Sequence, residues 1–329
     1  MTKIIESIAV YSLVYALAVM GLSLVVGYAR IFVLSQAAIF GVGGFTYAVM
    51  SGRNISSDLL IVIPVALVIG AVLSVITGLP LFRLAGDYYI VVSLAFQTVI
   101  MQGLVNWNSL SGGPPGLYEF GTANVAGVSI STTTDMIWVL VPVIAVAMVV
   151  LLWSDRMPYG KTLVGMSDDE AALEAGGVRS ASVKLSVFVL AGMLAAVAGV
   201  LYVAYLGAAS PGDFGSSTSI AMVSMVLVGG AGSLVGPFIG AVLLSSLPYW
   251  LNLANLSGYI AGAVTGVVLL LVAFVSPDGI TALVSPWLGR VGRTRQPGSP
   301  MTREPVRSDR VPGDASVAGA VGPDPVGHR

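Results

Sequence analysis

Residues 214–277 read FGSSTSIAMVSMVLVGGAGSLVGPFIGAVLLSSLPYWLNLANLSGYIAGAVTGVVLLLVAFVSP, sixty-four residues without one Asp, Glu, Lys or Arg. A charge at the centre of a bilayer costs about 2.5–3.5 kcal/mol, so a charge-free run of this length marks chain buried in lipid. One crossing needs about 20 apolar residues, so the run holds more than one. The natural breaks are Gly229–Gly232 and Leu253–Ser257, which divide it into spans near 218–229, 234–250 and 257–276. The first of these is short enough to be re-entrant or partly unwound.

Further uncharged windows precede this run at Ser7–Ala29, Ile31–Gly52, Leu59–Phe82, Tyr88–Val105, Met136–Leu152 and Leu185–Ala209. Together they predict an all-α, polytopic transmembrane helix bundle of roughly eight to ten spans. A β-barrel would show strands of about ten residues with alternating polarity instead of continuous apolar runs. The composition agrees: 56% of residues are hydrophobic and 9% charged, against about 25% charged in soluble domains. Lys3 followed by an apolar run resembles a secretion signal, but no small-residue cleavage site stands out, and the segment reads as a retained span.

The remaining charges are concentrated. Nine lie in Trp153–Lys184 and eleven in Arg290–Arg329. Cytoplasmic loops are enriched in Lys and Arg. The loop at residues 154–184, with Arg156, Lys161, Arg179 and Lys184, is therefore predicted cytoplasmic, as are residues 290–329. The loops 107–135 and 210–217 have no Lys or Arg and are predicted external. Counting spans outward places Arg83 inside and Arg53 outside, a mild exception. The short gap at Arg30 leaves the side of the N-terminus open. The domain reading is a transmembrane domain at 1–289 and a Pro-, Gly- and Arg-rich tail at 290–329 that is expected to be disordered.

Several kinds of chemistry are missing. There is no cysteine, and the only histidine is His328 in the tail. Without a span His, a Cys or paired acids, an intramembrane enzyme lacks a nucleophile and a general base. An ion-coupled secondary transporter normally needs an ionisable group within its spans, whereas Asp87, Asp135, Asp213 and Asp278 lie at span edges. The Gly229–Gly236 segment lacks the Lys-Ser/Thr and the strand of a phosphate loop, so no cofactor or metal is expected on this chain.

The uncharged polar residues are the remaining clues. Gln36, Gln97, Gln102 and Asn106 must find partners in a dry setting, either as interhelical bonds or along a polar pathway. Gln102 and Asn106, four apart, share a helix face. Pro64, Pro80, Pro237 and Pro248 are candidate helix breaks, and the glycines of Gly41-Val42-Gly43-Gly44 allow close helix packing.

The charged loop contains Ser167-Asp168-Asp169-Glu170-Ala171-Ala172-Leu173-Glu174-Ala175-Gly176-Gly177. Ser167 and Glu170 have capping-box spacing, and the acids suit a helix N-terminus. Gly176-Gly177 stops the helix. A two-turn helix starting at Asp168 is predicted. It is too short to stand alone in water, so it must rest on a surface of this chain or of a partner.

Glu170-Ala171-Ala172 with Gly176 resembles the EAA loop of bacterial ABC-importer permeases, in which the loop is the helix that couples to the ATPase. Four further stretches resemble the LivM-type branch of that family, the branched-chain amino-acid permeases. They are Tyr88–Phe96, the loop Asn106-Trp107-Asn108-Ser109-Leu110-Ser111-Gly112-Gly113-Pro114-Pro115-Gly116-Leu117, the segment Tyr205–Phe214, and Gly229–Pro237 with its G-G-x-G-S-x-x-G-P pattern. The resemblance runs from about Tyr15 to Pro277. One departure is Ser35-Gln36-Ala37-Ala38, where the family commonly reads G-H-A-A; Gln36 can bond but cannot be protonated.

The resemblance implies a permease subunit for branched-chain amino acids, or for related polar solutes such as urea and amides. It would sit in the cell membrane and hydrolyse no ATP itself. Its partners would be a second, LivH-like permease, two ABC ATPase subunits, an extracytoplasmic solute-binding protein and the lipid bilayer, with no nucleic acid. The residues that would couple to the ATPase are Ser167, Asp168, Asp169, Glu170, Ala171, Ala172 and Gly176. Candidate pathway residues are Gln36, Phe96, Gln97, Gln102 and Asn106. Ser111, Gly112, Gly113 and Pro114 would receive the binding protein.

Overall fold

The computed structural model describes residues 2–29, 31–81, 88–118, 120–156, 158–231, 235–253 and 266–267. The tail at 290–329, Arg30, Arg83, Asp87, Asp278 and all but two residues of the span expected at 257–276 lie outside the described residues. Eleven α-helices follow in order among those described. They are α1 Thr2–Tyr28, α2 Gln36–Gly52, α3 Leu59–Leu81, α4 Tyr88–Asn106, α5 Asn108–Ser111, α6 Thr133–Arg156, α7 Pro158–Asp168, α8 Glu170–Ala175, α9 Ser180–Leu206, α10 Ser216–Gly229 and α11 Gly236–Leu253. The rest are a 3-10 helix at Pro211–Phe214 and four two-residue strands: β1 Leu117–Tyr118 pairs with β4 Ala208–Ala209, and β2 Asn124–Val125 with β3 Val128–Ser129, both pairs antiparallel.

Among the described residues, five helices, α1, α3, α4, α6 and α9, are long and apolar enough to cross a membrane. The others are shorter. At 1.5 Å per residue, the 14 residues of α10 span about 21 Å, less than a hydrocarbon core of about 30 Å. This agrees with the short span expected there, and α10 ends at Gly229 where the glycine cluster begins, with Gly230 at φ 101°.

Helix α9 is the axis of the bundle. Three helices lie against it, each through a glycine. An added Cβ at Gly21 of α1 would sit 2.9 Å from the Ala191 Cα; at Gly43 of α2, 2.2 Å from the Ala196 carbonyl oxygen; and at Gly70 of α3, 2.7 Å from the Ala196 Cβ. Side chains of any size would push these helices apart, so the small residues set how closely the backbones meet. The order of contacts gives the directions. Ser7 of α1 accepts from the Tyr205 hydroxyl near the end of α9, while Gly21 faces Ala191, so α1 runs antiparallel to α9. Gln36 lies by Ala191 and Gly44 by Gly199 and Val203, so α2 runs parallel to it.

Two of the candidate breaks at proline are not breaks: α3 runs through Pro64 and α11 through Pro248, whereas Pro80 is next to last in α3 and Pro237 lies in the first turn of α11, both at helix ends. A proline in a lipid-embedded helix removes one backbone bond, and neighbouring groups can satisfy what it frees. An interruption lies instead at residues 31–35, inside the window expected to be one span from Ile31 to Gly52. Ile31, Val33 and Ser35 in it are buried and Phe32 is exposed, so one side of this irregular backbone rests on protein.

Candidate functional site

Three places concern function: the α7–α8 turn, the start of α2 with the neighbouring face of α4, and the loop after α5.

At the first, α7 continues through Ser167 and Asp168, and its last helical bond runs from the Asp169 N–H to the Gly165 carbonyl. Asp169 then turns extended and its Oδ1 accepts from the Ala172 N–H at 3.0 Å. The cap of α8 is therefore Asp169, not Ser167, and the helix is six residues, Glu170–Ala175, rather than two turns from Asp168. Aspartate caps as well as serine does, and nothing between Pro158 and Asp168 stops α7, so the later of two competing caps wins. The C-terminal stop is as expected: Gly176 N–H bonds Ala172 and Leu173 carbonyls, and Gly177 takes φ 86°.

Helix α8 is fastened to α9 at both ends. Lys184 Nζ meets Glu170 Oε1 at 2.5 Å, and Ser180 Oγ donates to the Glu174 carboxylate. Burial pushes the Glu170 carboxyl up, but the Lys184 ammonium and the Ser180 hydroxyl outweigh it and hold the group below its ordinary value. Leu173 packs inward, while Ala171, Ala172, Ala175 and Gly176 are exposed. The surface on which the helix rests is thus partly this chain's own, and its outer side is open.

At the second place the N-terminus of α2 lies beside Ala191, eleven residues into the 27-residue α9, so it begins midway along the bundle. A helix start leaves backbone N–H groups without intrahelical partners. Here other helices supply the acceptors. Leu34 N–H donates to Ser93 Oγ at 3.0 Å, Ala37 N–H to Ser219 Oγ at 3.2 Å, and Ala38 N–H to Gln97 Oε1 at 2.8 Å. Gln97 Nε2 donates to the Phe214 carbonyl at 2.7 Å, and Gln36 Nε2 to the Ala191 carbonyl at 3.0 Å. The buried Gln36 Oε1 and Ser35 Oγ have no hydrogen-bond partner in the structure.

The five candidate pathway residues separate accordingly. Gln36 and Gln97 are buried in this hub and bond backbone, the interhelical alternative. Gln102 and Asn106 are exposed on the outer face of α4, where Asn106 Nδ2 donates to the Gln102 carbonyl at 2.8 Å; their shared face is as expected. Phe96 is half-buried between the two sets. The outward face of α3 carries only apolar side chains such as Leu60, Val68, Val72 and Ile76, whereas that of α4 is mixed, with Val91, Leu94 and Val99 beside Thr98, Gln102, Gly103 and Asn106.

At the third place, Ser111 is buried, with Oγ donating to the Leu104 and Trp107 carbonyls, and Gly113 is buried as well. Gly113, at φ 73°, has no room for a Cβ, which would lie 2.1 Å from Asn108 Oδ1. Ser111 and Gly113 therefore shape the loop and are covered by this chain's own atoms. Gly112 is half-buried, and the exposed part is Pro114 and Pro115. Arg53, the exception to the charge rule, donates from Nη2 to the Ser109 carbonyl at 2.8 Å in this same region.

Reading the sequence did not single out Lys184, Ser93 or Ser219. Lys184 had a visible signal: it shares the spacing of Val187, Phe188 and Ala191, the buried side of α9. The serines had none.

Residues 4–273 match the family described as branched-chain amino acid transport system / permease component. The chain is 27% identical over 260 residues to the high-affinity branched-chain amino acid transport system permease protein LivM of Salmonella typhimurium, covering 72% of this chain and 61% of that protein. It is 26% identical to the LivM protein of Escherichia coli over the same shares. It is also 26% identical over 256 residues to the ribose import permease protein RbsC of Escherichia coli, covering 74% and 76%. The chain thus spans about 61% of the length of the LivM relatives. No solved structure matches. With five helices able to cross a membrane, the chain is a multi-pass integral membrane protein of the cell membrane. It belongs to the branched-chain amino acid transport system permease component family.

Proposed function

We propose that this chain is the membrane-spanning permease subunit of an ATP-driven importer for small polar solutes, with branched-chain amino acids as the first candidates. The observation that carries the proposal is α8: a short capped helix, tied to the central helix by Glu170–Lys184 and open on its outer side. Such a helix can be pushed from outside and pass the push into the bundle. The residues offered to an ATPase subunit are Asp169, Glu170, Ala171, Ala172 and Gly176, in a loop on the cytoplasmic side, with Ser167 and Asp168 carried by α7. The chain itself binds no ATP.

The pathway follows the outer face of α4. Gln102 and Asn106 there would leave amide groups in hydrocarbon if lipid covered them, which is unfavourable, whereas α3 offers lipid a purely apolar face. A second permease subunit covering α4 would enclose a polar route between the two chains, with Phe96 at its side. On the external side, Pro114 and Pro115 present the surface to a solute-binding protein. The LivM names favour leucine, isoleucine and valine, and the RbsC likeness keeps sugars in view.

The test is reconstitution in proteoliposomes with a second permease, two ATPases and the binding protein, measuring uptake of radiolabelled leucine, urea and ribose separately. ATP-dependent uptake that requires every subunit is the expected result. Uptake by this chain alone, driven by a proton or sodium gradient, would refute the proposal.

A further inference from the structure

Lys184 is the one Lys or Arg that is buried among the described residues, at 7% exposure. It sits in the second turn of α9, with its ammonium between two other elements. On one side is Glu170 of α8, at 2.5 Å. On the other is the ring of Tyr89 in the first turn of α4, whose centroid lies 5.9 Å away, within the range at which an ammonium is attracted to an aromatic face. Glu170 is half-exposed, so the pair is lopsided: the carboxylate can be rehydrated, whereas the ammonium cannot without moving its helix.

We propose that Lys184 is a positioning residue, the joint that passes displacement of α8 to α9 and to the base of α4. The proposal rests on the permease reading above. A buried ion pair is a poor source of stability compared with apolar side chains of the same size. What it supplies here is a constraint. Drawing Glu170 away from Lys184 strands a desolvated charge, so α8 cannot shift without taking Lys184, and with it α9, along. The Tyr89 contact carries the shift to α4. Four and eight residues further along α4 are Ser93 and Gln97, which hold the N–H groups of Leu34 and Ala38 at the start of α2. One connected set of side chains thus joins the outer helix to the mid-bundle break and to the helix bearing Gln102 and Asn106. The second tether, Glu174 to Ser180, reaches only the first residue of α9 and cannot address α4.

The experiment uses the complete assembly in proteoliposomes, with leucine, urea and ribose supplied separately, and reads solute moved per ATP hydrolysed. With Lys184→Met this ratio should fall by at least about fivefold, the lower end of usual coupling energies. Lys184→Arg, which keeps charge and reach, should recover most of it, and Tyr89→Leu should lower it. Should Lys184→Met fail to insert, Glu170→Gln, altered at a half-exposed side chain, must show the same fall. Wild-type coupling in Lys184→Met or Glu170→Gln, or an equal loss in Lys184→Arg, would overturn the joint. A wild-type assembly with no ATP-dependent uptake would overturn the permease reading, and the joint with it.

Discussion

Replacing Gly199 with alanine should weaken the bundle at its axis. An added Cβ there would lie 1.8 Å from the Phe40 carbonyl oxygen and 2.8 Å from the Gly44 amide nitrogen, both backbone atoms of α2. Ordinary contact begins at 3.4 Å; less 1.8 Å, that leaves about 1.6 Å by which α2 and α9 must part. A radial gap of 0.5–1 Å already forfeits about a quarter to a half of each atomic contact, and overpacking in tight interiors costs about 1–3 kcal/mol. Alanine's better helix propensity returns no more than about 1 kcal/mol. The net effect should be a loss of about 2 kcal/mol, measured as a shift of the unfolding free energy when the purified protein in mixed micelles is titrated with SDS and followed by circular dichroism. Gly103 of α4 is the control, since nothing lies within 4 Å of its added Cβ. Gly103→Ala should leave stability unchanged or slightly raised. If Gly199→Ala behaved like Gly103→Ala, the close approach of α2 to α9 described above would be wrong.

Three further outcomes are expected. Gln97→Leu removes an acceptor from Ala38 N–H and a donor from the Phe214 carbonyl; two buried orphan groups at about 1–3 kcal/mol each should lower stability by several kcal/mol in the same titration. Asp169→Ala removes the α8 cap, worth about 0.5–2 kcal/mol of local helix stability, while Asp169→Asn retains it; hydrogen exchange at the α8 amides should quicken in the first variant only. Glu170 titrates below its ordinary value of 4.5 in the folded chain. Its contribution to stability is therefore complete above that value and lost as pH falls through the lower folded one. Stability measured between neutrality and pH 5 should be the same for wild type and Glu170→Gln up to a constant offset, and the offset should shrink only in more acidic buffer.

Lipid-facing segments announce themselves through the absence of charge, a local property of each window, and so α3, α4, α6 and α9 were legible to within a few residues. The short α10 was legible too, because Gly229 and Gly230 mark its end. The start of α2 was not. Its window holds no proline and no charge from Ile31 onward, and a helix through Ser35 violates no local rule. What interrupts it are Ser93, Gln97 and Ser219, acceptors that arrive from distant elements. The reverse error occurred at Pro64 and Pro248, where a local rule predicted breaks that the surroundings override. At α8 the residue types were read correctly and the cap was displaced by two positions, because Ser167 and Asp169 both satisfy capping chemistry and only the continuation of α7 decides between them. The polar residues of α4 were found, but which of them look inward and which outward depends on the packing partner of each face.

The side-chain caps at the start of α2 also bear on how the chain is made. Leu34 and Ala38 wait for acceptors 59 residues further along the chain, Gln36 for a carbonyl 155 residues on, and Ala37 for a hydroxyl 182 residues on. At 5–20 residues per second, a ribosome takes about 10–40 s to deliver the last of these. During that time α2 exists beside the insertion machinery with its leading amides unpaired. The second helix to be synthesised is therefore among the last to be completed, and nascent chains stalled short of residue 219 should leave it accessible to chaperone and protease alike.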